Sequence, residues 1–326
     1  MVRTSPLLQR RTFVAGGALA WAAPARAEPV RTEIVKIRLG TATPGGGFPV
    51  YGAAFVASVQ GVDPGLEIEQ INTKGSTENV PMLEEGRLDI ALVQGEVVHE
   101  ALSGIGRPPA DLKVVTAMYA TAGMFVVRAD LAYRSIADLK GKPIAWGARG
   151  SGLVILGRYA MDGLGLDAAR DFQPIYLERA GDGPSMVLDG RAAALWGGGA
   201  GWPGFMTVAT SDKGARFIAP SNDEIVRILA KHSFLKRVIQ PAHSFPGQDD
   251  DIVSVGSWSF VMARPGLPDA VGYRLAKALH QGEAELGQKL AQARETTAAN
   301  TWAAAPRPEL IHPGVLRYLR EVGVAR

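Results

Sequence analysis

Apolar positions in this chain fall in short runs, each closed by a glycine-rich or polar loop and followed by a stretch of helical period. Residues 37–39 form a brief apolar strand that enters a loop carrying Gly40, Gly45, Gly46 and Gly47. Tyr51, Phe55, Val56 and Val59 then recur on one face, which predicts a helix. Leu66–Ile71 alternates and reads as a second strand. A polar loop, 72–79, leads into a helix with Ser76 as its cap; Pro81 sits deep for that start, so Asn79 is the alternative beginning. Residues 88–93 are almost continuously apolar, the pattern of a parallel strand covered on both faces. They run into Gln94-Gly95-Glu96. Two further strands are predicted at 113–118 and 124–128.

From residue 135 the same order returns. Residues 142–146 read as a strand and 147–152 as a glycine loop, with a helix from 153 capped by Ser151. A strand at 172–177, a helix around 184–188 and a strand at 192–196 follow, the last ending in a glycine-rich stretch, 197–204. Met82, Glu85, Gly86 and Arg87 recur as Met186, Asp189, Gly190 and Arg191 at a spacing of 104. Gly45 and Gly47 recur as Gly150 and Gly152 at 105. A strand at 254–262 and helices at 268–286 and 313–322 close the chain. Strands alternating with helices argue for an α/β protein. Two such units offering glycine loops at their strand ends would share a cleft. The expected organisation is a first lobe of residues 28–128 plus 258–326 and a second of 129–257, joined by two crossovers.

The first 27 residues stand apart. Arg3, Arg10 and Arg11 precede an apolar run, 13–23, and Ala25-Arg26-Ala27 suits cleavage before Glu28. This reads as an export signal, with Arg10-Arg11 also fitting the twin-arginine type. The run is too short to span a bilayer. Removing it leaves 31 basic residues against 32 acidic ones and turns a net charge of +3 into −1. A basic surface for nucleic acid or anionic lipid is thereby excluded from the mature chain. The expected location is the periplasm.

Chemistry narrows the reading further. The chain has no cysteine, so thiolate metal sites and cysteine nucleophiles are ruled out. Its five histidines lie far apart without metal-ligand spacing. Counting from Gly45, the sixth position of a dinucleotide fingerprint is Val50. A nucleophile elbow around Ser151 fails at Arg149, where its first glycine belongs. Neither cofactor nor metal is expected. Glycine loops opening helices suit an anion instead.

With these motifs assembled, the chain resembles the TAXI family of TRAP-transporter binding subunits, within the type II periplasmic solute-binding proteins. The stretches that carry the likeness are GTATPGGGFPVYG, KGSTEN, EEGRLDIALVQGE, DLKGKPIAWGARGSG, DGRAAALWGGGAGWPG and the terminal HPGVLRYLREVG. The resemblance implies a two-lobed α/β fold with the ligand cleft between lobes and two hinge crossovers. It also implies a protein that closes on a small carboxylate or amino acid and delivers it to a TRAP membrane permease; a monomer is expected. The family's hydroxyl residues are missing at Gly47, Phe48 and Pro49, and its proline and threonine are replaced by Arg149 and Leu153. This favours a carboxylate or dicarboxylate over an amino acid, with Arg149 available for a bidentate contact.

The candidate ligand-binding set is Thr43, Gly46, Gly47, Phe48 and Tyr51 from the first loop and helix, and Ser76, Asn79 and Gln94 from the next two strand ends. From the second unit it takes Arg149, Gly150, Ser151, Gly152, Trp196 and Gly198. Ser76, Asn79 and Gln94 read equally well as cap or turn residues. Phe48, Tyr51, Trp196 and Trp202 are either pocket wall or core packing. Two other functions stay open: a periplasmic enzyme on a small anionic substrate, and a ligand sensor for a membrane kinase.

Overall fold

The computed structural model describes residues 1–2 and 33–326, so all but the first two residues of the export segment lie outside the described residues. All the elements belong to the unit Ile34–Arg326. In chain order it begins β1 (Val35–Gly40), α1 (Gly47–Val62), β2 (Leu66–Ile71), α2 (Ser76–Glu84), β3 (Ile90–Gln94), α3 (Gly95–Ser103) and β4 (Lys113–Arg128). It continues β5 (Pro143–Ala148), α4 (Gly152–Gly163), β6 (Gln173–Leu177), α5 (Gly183–Leu188), β7 (Ala194–Gly198), α6 (Pro203–Ala209) and β8 (Ala215–Ile218). It ends α7 (Asn222–Lys231), β9 (Lys236–Gln240), β10 (Ile252–Ala263), α8 (Asp269–Lys289), α9 (Ala298–Ala304) and α10 (Pro313–Glu321).

Two sheets result. In the first, β1 pairs in parallel with β2 and β3, and β10 runs antiparallel between β3 and β4. In the second, β5 lies in parallel between β6 and β7, while the far half of β4 pairs antiparallel with β7 and β8. The strand β4 therefore belongs to both. Its residues up to Ala122 face β10, and those from Gly123 face the second sheet. β10 also reaches across, pairing with β9 through Ile252–Gly256. The two long strands are the crossovers, and β10 carries register shifts next to Trp258 and Val261.

Both faces of each sheet are covered. α1, α8 and α10 bury Tyr51, Phe55, Leu275 and Tyr318 against one face of the first sheet. α2 and α3 bury Val80, Leu83, Val97 and Val98 against the other. On the second sheet, Trp146, Leu156, Trp196 and Ile228 pack on one face and Leu195, Phe205 and Val208 on the other. Burial on both sides explains why all five residues of β3 are apolar or fully covered.

Two expectations change. The strands predicted at 113–118 and 124–128 are one strand, β4. The small residues Ala120, Ala122 and Gly123 interrupt the apolar pattern but not the ladder; a Cβ at Gly123 would lie 2.7 Å from the Trp196 ring. Helix α2 starts at Ser76 and contains Pro81. Its cap is Gly75, at φ 115°, rather than the Ser76 side chain.

Candidate ligand-binding site

A cavity of about 50 Å³ lies where the loops of the two sheets meet. Gly46 and Gly47 at the start of α1, Ser76 at the start of α2, Gln94 before α3, and Ser151 and Gly152 at the start of α4 all line it. Each helix directs the positive end of its dipole there. The caps of α1, α2 and α3 accept no bond through a side chain, so the first turns of α1 and α3 keep donors for another partner, whereas in α2 the N–H of Thr77 already donates to the Gly150 carbonyl. The cap of α4 is satisfied: Ser151 Oγ accepts from the N–H of Leu153 at 3.2 Å.

Among the described residues the lining contains no carboxylate, and Lys74 is its cationic side chain. Thr121, Tyr119 and Trp202 add a hydroxyl, a phenol and an indole, and Phe48 adds an apolar wall. Burial, with lesser contributions from Tyr51 and Glu295, pushes the Tyr119 phenol well above its ordinary range, so it stays a donor. Gln94 lines the cavity, and its side-chain NH₂ is buried with no hydrogen-bond partner among the described residues. An unpaired buried donor costs roughly 1–3 kcal/mol, which a ligand acceptor would recover.

Rim contacts flank the cavity on two sides. On one, the carbonyl of Gly150 accepts from Thr77, and Gly75 packs so closely that a Cβ would lie 2.8 Å from that oxygen. On the other, the N–H of Ala180 donates to Thr43 Oγ1 at 3.1 Å and that of Gly181 to the carbonyl of Pro44 at 3.4 Å. Gly45, at φ 82°, is bare for the same reason: a Cβ would sit 2.6 Å from Gly181 Cα. These contacts bound the cavity at its rim.

Of the fourteen candidates, Thr43, Gly46, Gly47, Phe48, Ser76, Gln94, Ser151, Gly152 and Gly198 line the cavity. The other five do not. The Tyr51 hydroxyl is in the core, bonded to Thr296 Oγ1 at 3.1 Å. Asn79 is fully buried; its NH₂ donates to the carbonyls of Thr41 and Leu92, both at 2.8 Å, tying the first loop to β3. Trp196 is core, its indole donating to the Leu153 carbonyl at 2.8 Å. Gly150 serves the rim through its carbonyl. Arg149 is exposed and lies 5.3 Å from the ring centre of Tyr176.

Sequence reasoning missed Lys74, Gly75, Tyr119, Thr121 and Ala180 as lining residues. Lys74 and Gly75 stand in KGSTEN, so the loop was visible and its cation was not taken up. Tyr119 and Thr121 sit mid-strand in β4, where no local signal marks them. Behind Gln94, Glu96 is fully buried in the first turn of α3, and neither carboxyl oxygen has a partner in bonding geometry. Burial pushes it up to about 7, against opposing contributions from the Ser257 hydroxyl, its own backbone and the Gln94 side chain.

A double-sheet α/β body closed over a cavity of helix N-termini is the architecture of the two-lobed periplasmic binding proteins. Residues 39–323 match the NMT1-like family, and the chain belongs to it. Among solved structures it is similar to the periplasmic binding protein BugD, with a TM-score of 0.57 at 14% identity over 89% of this chain and 98% of that one. A protein of Bordetella bronchiseptica RB50 gives 0.55 at 14% identity, covering 88% of this chain and 98% of its own. A structure described as a periplasmic transporter gives 0.54 at 14% identity, over 81% and 88%. At such identities the likeness is one of fold.

Proposed function

We propose that this chain is an extracytoplasmic solute-binding protein that captures a small organic anion, a carboxylate or dicarboxylate, and presents it to a TRAP-type membrane permease. The observation that carries the reading is the cavity itself: four helix N-termini and Lys74 around a space without an acidic side chain. Its volume favours the small end of that ligand class, since about 10–15 Å³ measured this way holds one water.

In this reading the lobes are residues 28–128 plus 258–326 and residues 129–257, moving about β4 and β10. Ligand contacts both lobes and shifts the population toward the closed form. The TAXI-type motifs support delivery to a TRAP permease, and the leading segment supports export. The test is mass spectrometry of ligand released from denatured mature protein, followed by calorimetry with a carboxylate panel. Stoichiometric binding without turnover is expected. Accumulation of product from any bound compound would sink the reading in favour of an enzyme.

A further inference from the structure

Glu96 has no part in the scheme above, yet its place is unusual. It is fully buried, both carboxyl oxygens lack partners in bonding geometry among the described residues, and it sits two residues beyond the cavity-lining Gln94, whose side-chain NH₂ is likewise buried and unpartnered. The Gln94 side chain and the Ser257 hydroxyl are the groups within its reach. Ser257 belongs to the crossover strand β10, and its contact with the Trp258 carbonyl is long, at 3.5 Å. A carboxyl, an amide and a hydroxyl from three elements thus face one another with bonding capacity unused.

We infer that Glu96 is a proton-controlled positioning residue of the cavity, acting through Gln94. Protonated, its O–H donates to Oε1 of Gln94 and leaves the Gln94 N–H groups for a bound anion. Ionised, it draws those N–H groups to itself and places a negative charge behind the anion's site. Anion binding and proton uptake at Glu96 therefore favour each other. The inference rests on the anion reading of the cavity.

The surroundings agree in sign. Burial holds Glu96 near 7, and the charge of Glu100, one turn along the same helix, adds in the same direction. Glu100 is itself paired with Arg158 of α4. His99, stacked on Phe234, is pushed down chiefly by burial and is neutral at the same pH. Lys74 is the cation of the cavity. Below about 7 the pocket behind the anion is neutral; above it anion binding weakens, by about fivefold over the first pH unit and approaching tenfold per unit beyond, until the bound form also ionises.

The experiment uses the mature full chain freed of ligand, labelled with carboxyl-¹³C glutamate and side-chain ¹⁵N glutamine, with acetate as the probe. The Glu96 resonance is assigned by its loss in Glu96→Gln. Its midpoint is expected near 7, with the Gln94 side-chain resonances moving at the same midpoint. Acetate affinity should fall by about fivefold from pH 7 to pH 8 and be flat over that range in Glu96→Gln. A Glu96 midpoint in the ordinary carboxylate range, or Gln94 resonances that ignore it, overturns the inference. So does an unchanged pH dependence of acetate binding in Glu96→Gln. If Gln94 follows Glu96 and acetate binds at neither pH, the switch stands and the small-carboxylate reading falls.

Discussion

The carbonyl oxygen of Gly150 accepts two hydrogen bonds from one residue, Thr77: its backbone N–H at 3.2 Å and its hydroxyl at 3.1 Å. Both groups come from the first turn of α2, so the rim of one sheet grips the loop of the other without any ion pair. A Cβ at Gly75 would meet the same oxygen at 2.8 Å and Ser151 Cα at 3.2 Å. Both are backbone, and relief requires the rim to part. Gly75→Ala is expected to weaken ligand binding at least tenfold. Gly141→Ala is the control: its φ of 72° is also positive, though less strained for alanine than the 115° of Gly75, and no atom of the described residues lies within 4 Å. That variant should lose about 1 kcal/mol of stability and keep its affinity. Equal affinities for the two would remove the rim from the closing mechanism.

Lys74 and Arg149 exchange their expected importance. Lys74 lines the cavity, whereas Arg149 lies against Tyr176 outside it. Calorimetry with the released ligand should show Lys74→Met weakening binding by roughly tenfold, the scale of a partly solvated charge-assisted bond. Arg149→Ala should leave affinity within about twofold. The reverse order would return Arg149 to the site.

Glu96 also bears on stability. Its folded-state value lies above the unfolded one, so its contribution is fully present below about 4.5 and is lost as pH rises through about 7. Above 7 the folded protein carries a buried, unpaired charge. Glu96→Gln removes it and should stabilise the protein there by on the order of 3 kcal/mol, since each tenfold change in proton affinity between the unfolded and folded chain is worth about 1.4 kcal/mol. Urea denaturation at pH 5 and pH 8 measures this; a difference between variant and parent that does not grow with pH contradicts it.

Asp89 carries the opposite sign. Burial would raise it, but Arg38, through its side chain and its backbone N–H at 2.9 Å, and Arg264 at 3.0 Å outweigh that and hold it below the usual range. It binds the end of β10 to β1 just before β3. The stability it supplies is present above about 4 and lost as pH falls through its lowered value. Asp89→Asn should cost roughly 2 kcal/mol at pH 7 and much less at pH 2, read from denaturation midpoints.

Much of the fold was legible because each strand of the parallel units ends in a glycine or polar loop that opens a helix. The matching strands β2 and β10 were located within two residues. Helix α7 escaped although Ser221 and Glu224 form a complete capping box, a signal that local reading can use. The site was harder. Ser76, Gln94 and Gly152 reveal themselves by standing at helix starts, where backbone and ligand compete for the same donors. Asn79 and Tyr51 have the same polar chemistry but spend it inside the core, on Thr41, Leu92 and Thr296. Which polar group faces a cavity depends on partners up to 245 residues away, and no local pattern encodes that.

The position of β10 has a consequence for the order in which the chain takes shape. During synthesis β1, β2 and β3 emerge first, then β4, and the strands of the second sheet are all present once Ile218 has left the ribosome. The strand that joins β3 to β4 arrives only with residues 252–263 and must enter between two edges that have been waiting open. The sheet begun first is thus finished last, and its closing piece is also one of the two strands that run from one sheet into the other.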